Sequence, residues 1–191
     1  MSEPARRQAL QQRVAAAILD GAAQIFAVQG EQASMNDVAD AAGVARATVY
    51  RYFPNRDALL DELARAAVAD VETRLQSARI DAVAPEEGIA RAVRALVDTG
   101  DSFVLLARAR RHSEPERFER KVVQPLRRLF ERGQEAGDIR DDITGARLAE
   151  SLIGLIVGLL TSAPALGKED MTATITGLFL DGARARGPRL Q

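Results

Sequence analysis

Hydrophobic residues in this chain recur at helical rather than strand spacing almost throughout. Val14, Ile18, Ala22, Ile25 and Phe26 fall on one face of a helix expected near Arg13–Gln29, which Gly30 ends. Met35, Val38, Ala39 and Ala42 repeat that spacing behind Ser34, a good N-cap, and Asp37 sits where a carboxylate favours a helix N-terminus. Gly43 stops this second helix in the manner of a C′ glycine. Ala45 to Phe53 predicts a short third helix with Val44, Val49 and Phe53 on its buried side. Pro54 and Asn55 open a fourth, from about Arg56 to Arg79, whose apolar positions include Leu59, Leu60, Leu63, Ala67, Val71 and Leu75. A helix of that length spans about 35 Å, enough to leave one domain and enter the next.

The second half continues in the same period. Asp81 to Glu87 reads as a linker, and Ile89, Val93, Leu96 and Val97 define a helix that Gly100 ends. An apolar segment at Phe103–Leu106 turns basic at Arg108, Arg110, Arg111 and His112, with a break at Ser113–Pro115. Phe118, Val122, Val123, Leu126, Leu129 and Phe130 line the next helix, in which Pro125 predicts a kink. Ala146–Ser162 carries almost no charge after Glu150, and its apolar residues are too many for one face. More than one neighbour must bury such a helix. It is either the central helix of one protomer or part of a bundle shared with a second copy, a choice that Gly154 and Gly158 leave open. Met171, Ile175, Leu178 and Phe179 mark the last amphipathic helix. The class is all-α.

Composition narrows the picture. The chain has 191 residues, 47% hydrophobic and 28% charged, enough for a small domain plus a larger one. A net charge of −1 excludes a histone-like coat on DNA but suits a protein whose cations are concentrated on one surface. There is no cysteine, hence no disulfide framework or thiol chemistry, which fits a cytoplasmic protein. Residues 1–10 are polar and read as a flexible tail without an apolar signal segment. The run Leu152–Leu160 falls short of the ~20 residues of a membrane span, so no membrane partner is expected.

Candidate chemistry concentrates at residues 34–53, which read as a helix-turn-helix. No acidic residue lies between Asp40 and Asp57, whereas Arg46, Arg51 and Arg56 all do. The outer side of the third helix carries Arg46, Ala47, Thr48, Tyr50, Arg51 and Tyr52. Arginine reaches guanine edges or phosphates, alanine and the threonine methyl touch thymine, and tyrosine hydroxyls suit phosphate oxygens. Ser34 and the amides after it place a helix N-terminus against the backbone, with Asn36 beside them. On spacing alone, an ordinary helix pair with a solvated basic face fits as well. The single histidine, His112, stands with Glu114 and Glu116 and reads as a helix-end residue, so no enzymatic activity, metal or cofactor is expected.

The segment AAGVARATVYRYFPNRDALL resembles the DNA-binding domain of TetR-type transcriptional regulators, and the resemblance extends over roughly Val14–Leu63. Two positions depart from the usual pattern. Ala45 replaces a capping serine, which weakens the third helix's start by about 1 kcal/mol, and Arg56 replaces a lysine. The resemblance implies an N-terminal three-helix DNA-binding domain at residues 11–56, joined by the long fourth helix to a helical ligand-binding and dimerisation domain at 57–191. It implies that Arg46, Ala47 and Thr48 face base edges, while Tyr50, Tyr52 and Arg56 contact phosphates. It further implies a small-molecule pocket, for which Phe103, Leu106, His112, Phe118, Val122, Leu126 and Phe130 are the candidate lining. A homodimer is expected through the last two helices, at Leu152, Leu155, Ile156, Leu159, Ile175, Leu178 and Phe179. The implied function is a repressor released from an inverted-repeat operator in double-stranded DNA by an effector. The alternative is an all-α dimeric ligand-binding or scaffolding protein that does not engage DNA.

Overall fold

The structure, a computed structural model, describes residues 3–109 and 115–185. Among the described residues every regular element is helical, with one isolated bridge pairing Ile139 and Arg184. The chain divides into two compact units between Ala66 and Ala67, inside the fourth helix, which begins at Arg56, next to the boundary that the resemblance implies.

The first unit holds α1 (Glu3–Gln29), a 3₁₀ turn at Gly30–Gln32, α2 (Met35–Ala41), α3 (Arg46–Tyr52) and the start of α4 (Arg56–Ala78). Helix α1 begins at Glu3, so most of the stretch expected to be a tail is helical. The physical reason lies in residue type: Ala, Arg, Gln and Leu, which fill residues 5–13, are all strong helix formers. The unit's core is Ile18, Ala22, Phe26, Val38, Val49, Leu59 and Leu63. Helices α1 and α2 touch backbone to backbone at Gly21. A Cβ there would lie 2.8 Å from the Ala42 nitrogen and 3.1 Å from the Ala41 carbonyl carbon.

The second unit takes in the rest of α4, a 3₁₀ turn at Ile80–Ala82, α5 (Pro85–Thr99), α6 (Asp101–Ala109), α7 (Pro115–Phe118), α8 (Gln124–Glu135), α9 (Gly145–Ser162) and α10 (Lys168–Ala183). Pro85 occupies the first turn of α5, where its missing N–H costs nothing. The expected kink at Pro125 takes a specific form: a π-helical stretch, Glu119–Val123, runs into α8, and Pro125 lies in the first turn after it. The wider register relieves the clash that a proline ring imposes inside an α-helix. Within this stretch the Lys121 ammonium pairs with Glu72 of α4, both partly buried.

Arg132 of α8 closes the turn after α4. Its guanidinium donates to the carbonyls of Ile80 at 2.8 Å, Asp81 at 2.7 Å and Val83 at 3.2 Å. Those oxygens belong to a turn entered through Arg79, which adopts φ 49°. Helix α9, capped by Thr144, buries Leu148, Leu152, Ile153 and Ile156 and packs chiefly on α8. Its 18 residues, mean hydropathy 1.4, are long and apolar enough by composition alone to cross a membrane, yet they include Arg147 and Glu150 and serve as a core helix. Arg184 secures the end of α10 by donating to both oxygens of Glu86, at 2.7 and 3.2 Å.

The α1–α2 contact yields the first prediction. Gly21→Ala forces the α2 backbone away and lowers stability by about 1–3 kcal/mol. Chemical denaturation followed by circular dichroism measures it, and a midpoint equal to wild type would refute the contact.

Candidate nucleic-acid interface

The interface is built from two short helices and the turn between them. Helix α2 starts in a capping box. Ser34 Oγ accepts from the Asp37 amide at 3.3 Å, and Asp37 Oδ2 accepts from the Ser34 amide at 2.9 Å and from the Ser34 hydroxyl at 2.6 Å. Both orphan ends are thereby satisfied. The Ser34 hydroxyl, and then its amide, hold the Asp37 carboxyl below its ordinary pKa. At the other end, the Val44 amide reaches the Ala39 carbonyl at 3.0 Å and the Gly43 amide reaches Asp40 at 3.2 Å. This Schellman closure needs a left-handed residue, and Gly43 provides it at φ 64°.

Helix α3 follows at once. Ala45 is its N-cap and makes no side-chain cap, as its substitution for serine implied. Val49 is fully buried and Phe53 nearly so, while Val44 is half-buried. Arg46, Ala47, Tyr50 and Arg51 are exposed, and Thr48 and Tyr52 are half-buried. All six are therefore at least partly accessible on α3, and Ser34 and Asn36 are exposed at the start of α2. Arg46 lies over the Tyr50 ring at 5.3 Å and its Nη2 is 3.5 Å from the Tyr50 hydroxyl; Arg51 lies 5.4 Å from the Tyr52 centroid. Neither arginine has a carboxylate partner among the described residues. Cation–π contacts of this kind limit side-chain freedom without consuming charge. The face can thus offer cations and hydroxyls to phosphates, and an arginine and small side chains to base edges.

Arg56 has a different setting. It is half-buried, its Nε donates to the Ala33 carbonyl at 3.4 Å and its guanidinium lies 5.0 Å from the Phe26 ring. This tertiary role is invisible in the sequence, where Arg56 shows only as a cation. Asn55 caps α4, accepting from the Ala58 amide at 2.8 Å. Arg7, Leu10, Gln11 and Val14 of α1 share an open groove with Arg51 and Tyr52, a juxtaposition that a reading of residues 1–10 as a tail does not reveal. The acid-free run around them was the available signal.

In the second unit, Phe103, Leu106, Phe118, Val122, Leu126 and Phe130 are all buried, and Phe130 meets Phe179 at 5.5 Å between ring centroids. His112 lies outside the described residues. Of the residues expected at a dimer contact, Leu152, Ile156, Ile175 and Phe179 are buried within their own unit, Leu155 and Leu159 are half-buried, and Leu178 is exposed. Among the described residues no three His, Asp or Glu side chains are grouped to hold a metal ion.

Residues 18–63 match the family described as bacterial regulatory proteins, tetR family. The HTH-type transcriptional regulator NfxB of Pseudomonas aeruginosa is 28% identical over 165 residues, 82% of this chain and 87% of that protein. An HTH-type transcriptional repressor of Mycobacterium tuberculosis, Rv1474c, is 30% identical over 155 residues, covering 75% of this chain and 78% of its own length. Among solved structures, LfrR of Mycobacterium smegmatis in complex with proflavine superposes with a TM-score of 0.73 at 21% identity, over 91% of this chain and 97% of that one.

The capping box sets a pH dependence. Because folding holds the Asp37 carboxyl below its ordinary value, its contribution is complete above the unfolded pKa and disappears as pH falls through the folded one. Wild type should therefore exceed Asp37→Asn in denaturant midpoint near neutrality, and the gap should close as pH falls through the lowered pKa of the folded carboxyl. A gap that stays constant with pH would count against the box.

Proposed function

The chain belongs to the tetR family of bacterial regulatory proteins and is a helix-turn-helix transcriptional regulator, and from this premise we propose a cytoplasmic homodimeric repressor that leaves an inverted-repeat operator when a small effector binds its C-terminal unit. One observation carries the docking mode: α3 turns Arg46, Ala47, Tyr50 and Arg51 outward, free of any carboxylate partner among the described residues. Arg46, Ala47 and Thr48, in the first turn of α3, read base edges, and Tyr50, Arg51 and Tyr52 meet phosphates. Ser34 and Asn36 bring the start of α2 to the backbone. Arg56 positions α2 more than it binds DNA, since its guanidinium already serves Ala33 and Phe26.

The dimer rests on the free side of α9 and α10. Gly154, Gly158 and Gly177 lie inside helices, and a Cβ on any of them would meet no atom within 4 Å. Each costs its helix about 1 kcal/mol relative to alanine, and nothing in the protomer requires them to be small. A second copy packed closely across this face requires it, and it would also cover Leu178, which is 61% exposed. Two α3 helices then reach half-sites about 34–36 Å apart. For the effector, the candidate residues are Phe103, Leu106, Phe118, Val122, Leu126 and Phe130, all buried and apolar, with Phe118 just before the π-helical stretch and Val122 within it. LfrR, a structural relative, holds the small molecule proflavine. Effector release follows if the ligand binds more tightly to the arrangement that cannot engage both half-sites.

Selection of bound duplexes from a random pool tests the reading. An enriched inverted repeat is the expected outcome. Arg46→Ala should then relax preference at one base pair by about 1–3 kcal/mol, and Tyr50→Ala should weaken all sequences alike. A folded dimer that enriches no motif would favour the scaffolding alternative. Gly158→Glu, placed in open space, should leave the protomer folded but shift sedimentation from dimer to monomer; an unchanged dimer would overturn the proposed contact.

A further inference from the structure

Helix α1 carries a surface that the docking of α3 leaves unused. Arg7, Leu10, Gln11 and Val14 form a stripe with helical spacing that continues into buried Ile18, Gly21 and Ala22. The core-facing side of α1 thus runs on for two turns beyond the core. There it forms one wall of an open groove of about 610 Å³ whose other wall is Arg51 and Tyr52 of α3. Leu10 stands on the same side as the core residues, yet it is 63% exposed.

Charge identifies an occupant. Two stretches of this unit hold no acidic residue: 4–19, with Arg6, Arg7 and Arg13, and 41–56, with Arg46, Arg51 and Arg56. They are separate in sequence, and the fold brings them together at this groove. Arg6, Arg7 and Arg13 are exposed and have no ion-pair or hydrogen-bond partner among the described residues. A groove with guanidinium groups on both rims and an aliphatic floor of Leu10 and Val14 is complementary to a sugar–phosphate strand. The phosphate lies between the cations and the deoxyribose lies over the apolar side chains.

We infer that the first half of α1 is part of the DNA interface, with Arg7 contacting a backbone phosphate next to those met by α3. This rests on the proposed docking of α3, since Arg51 and Tyr52 belong to both surfaces. The contact carries no base preference. It adds affinity and register to a recognition helix of seven residues.

The test uses the full-length protein and the operator recovered by selection. Arg7→Ala should reduce the slope of log affinity against log salt by about 0.9 per subunit. Ethylation interference at one phosphate in each half-site should disappear, with the same bases preferred. Arg7→Lys should restore the slope, and circular dichroism melts should match wild type because Arg7 is exposed and has no partner among the described residues. An Arg7→Ala slope and interference pattern equal to wild type, with wild type bound to its operator, overturns this inference alone. Wild type that binds operator no better than random duplex overturns the docking reading and this inference with it.

Discussion

The guanidinium of Arg56 sits where three parts of the DNA-binding unit meet. It follows α3 by four residues, donates to the carbonyl that precedes the α2 cap, and lies against Phe26 of α1. That position matters because α2 and α3 have seven residues each, too few to persist as isolated helices in water. Their geometry must come from their tertiary contacts. Val38 and Val49 supply buried apolar surface, but burial is non-directional and tolerates sliding. A planar cation that both donates to a carbonyl and lies over an aromatic ring is directional. Lysine, usual here in the resembling family, cannot satisfy both constraints with one rigid group.

With Arg56 engaged by Ala33 and Phe26, the proposed docking assigns the DNA contacts to Arg46 and Arg51 and, by the inference drawn for Arg7, to α1. This division explains how a chain of net charge −1 can address a polyanion. Its acidic residues are not fewer than its basic ones; they are kept out of two stretches that the fold makes adjacent. Asp37, in the first turn of α2, is turned to structural use by Ser34. Asp40 remains exposed at the far end of α2, and its carbonyl accepts from Gly43 in the turn.

Local rules were legible in the sequence wherever one residue decides one local geometry. The Ser34 cap, the Gly43 turn, the uncapped Ala45 and the Asn55 cap of α4 each follow from a side chain acting within four residues of itself. Tertiary roles were not. Arg56 looked like any basic residue after a recognition helix, and nothing local marked its partners Ala33 and Phe26. The start of α1 was missed for a different reason. Residues 5–13 lack an amphipathic pattern strong enough to assign, yet their helix propensity is high, and propensity decided where periodicity was silent. Pro125 marked an irregularity without revealing its form, because a kink and a π-helical register both accommodate a missing amide.

Helix α9 shows where hydrophobic pattern stops being informative. A helix that is apolar on every side could not be divided, from sequence, into a face for its own core and a face for a partner. The structure divides it by side-chain size. Leucine and isoleucine at 148, 152, 153 and 156 point into the unit, while Gly154 and Gly158 stand on the open side. An open glycine face is a poor choice for a helix that stays solvated, since alanine would be more stable there and equally soluble. It is a good choice for one that must be approached closely, because interaxial distance is set by the largest side chain between two backbones. The same residues that lower the stability of the single protomer would bring two copies near enough for Leu155, Leu159 and Leu178 to bury one another. In the proposed dimer the free energy lost in α9 and α10 would be recovered only on assembly, which would make folding and pairing parts of one equilibrium.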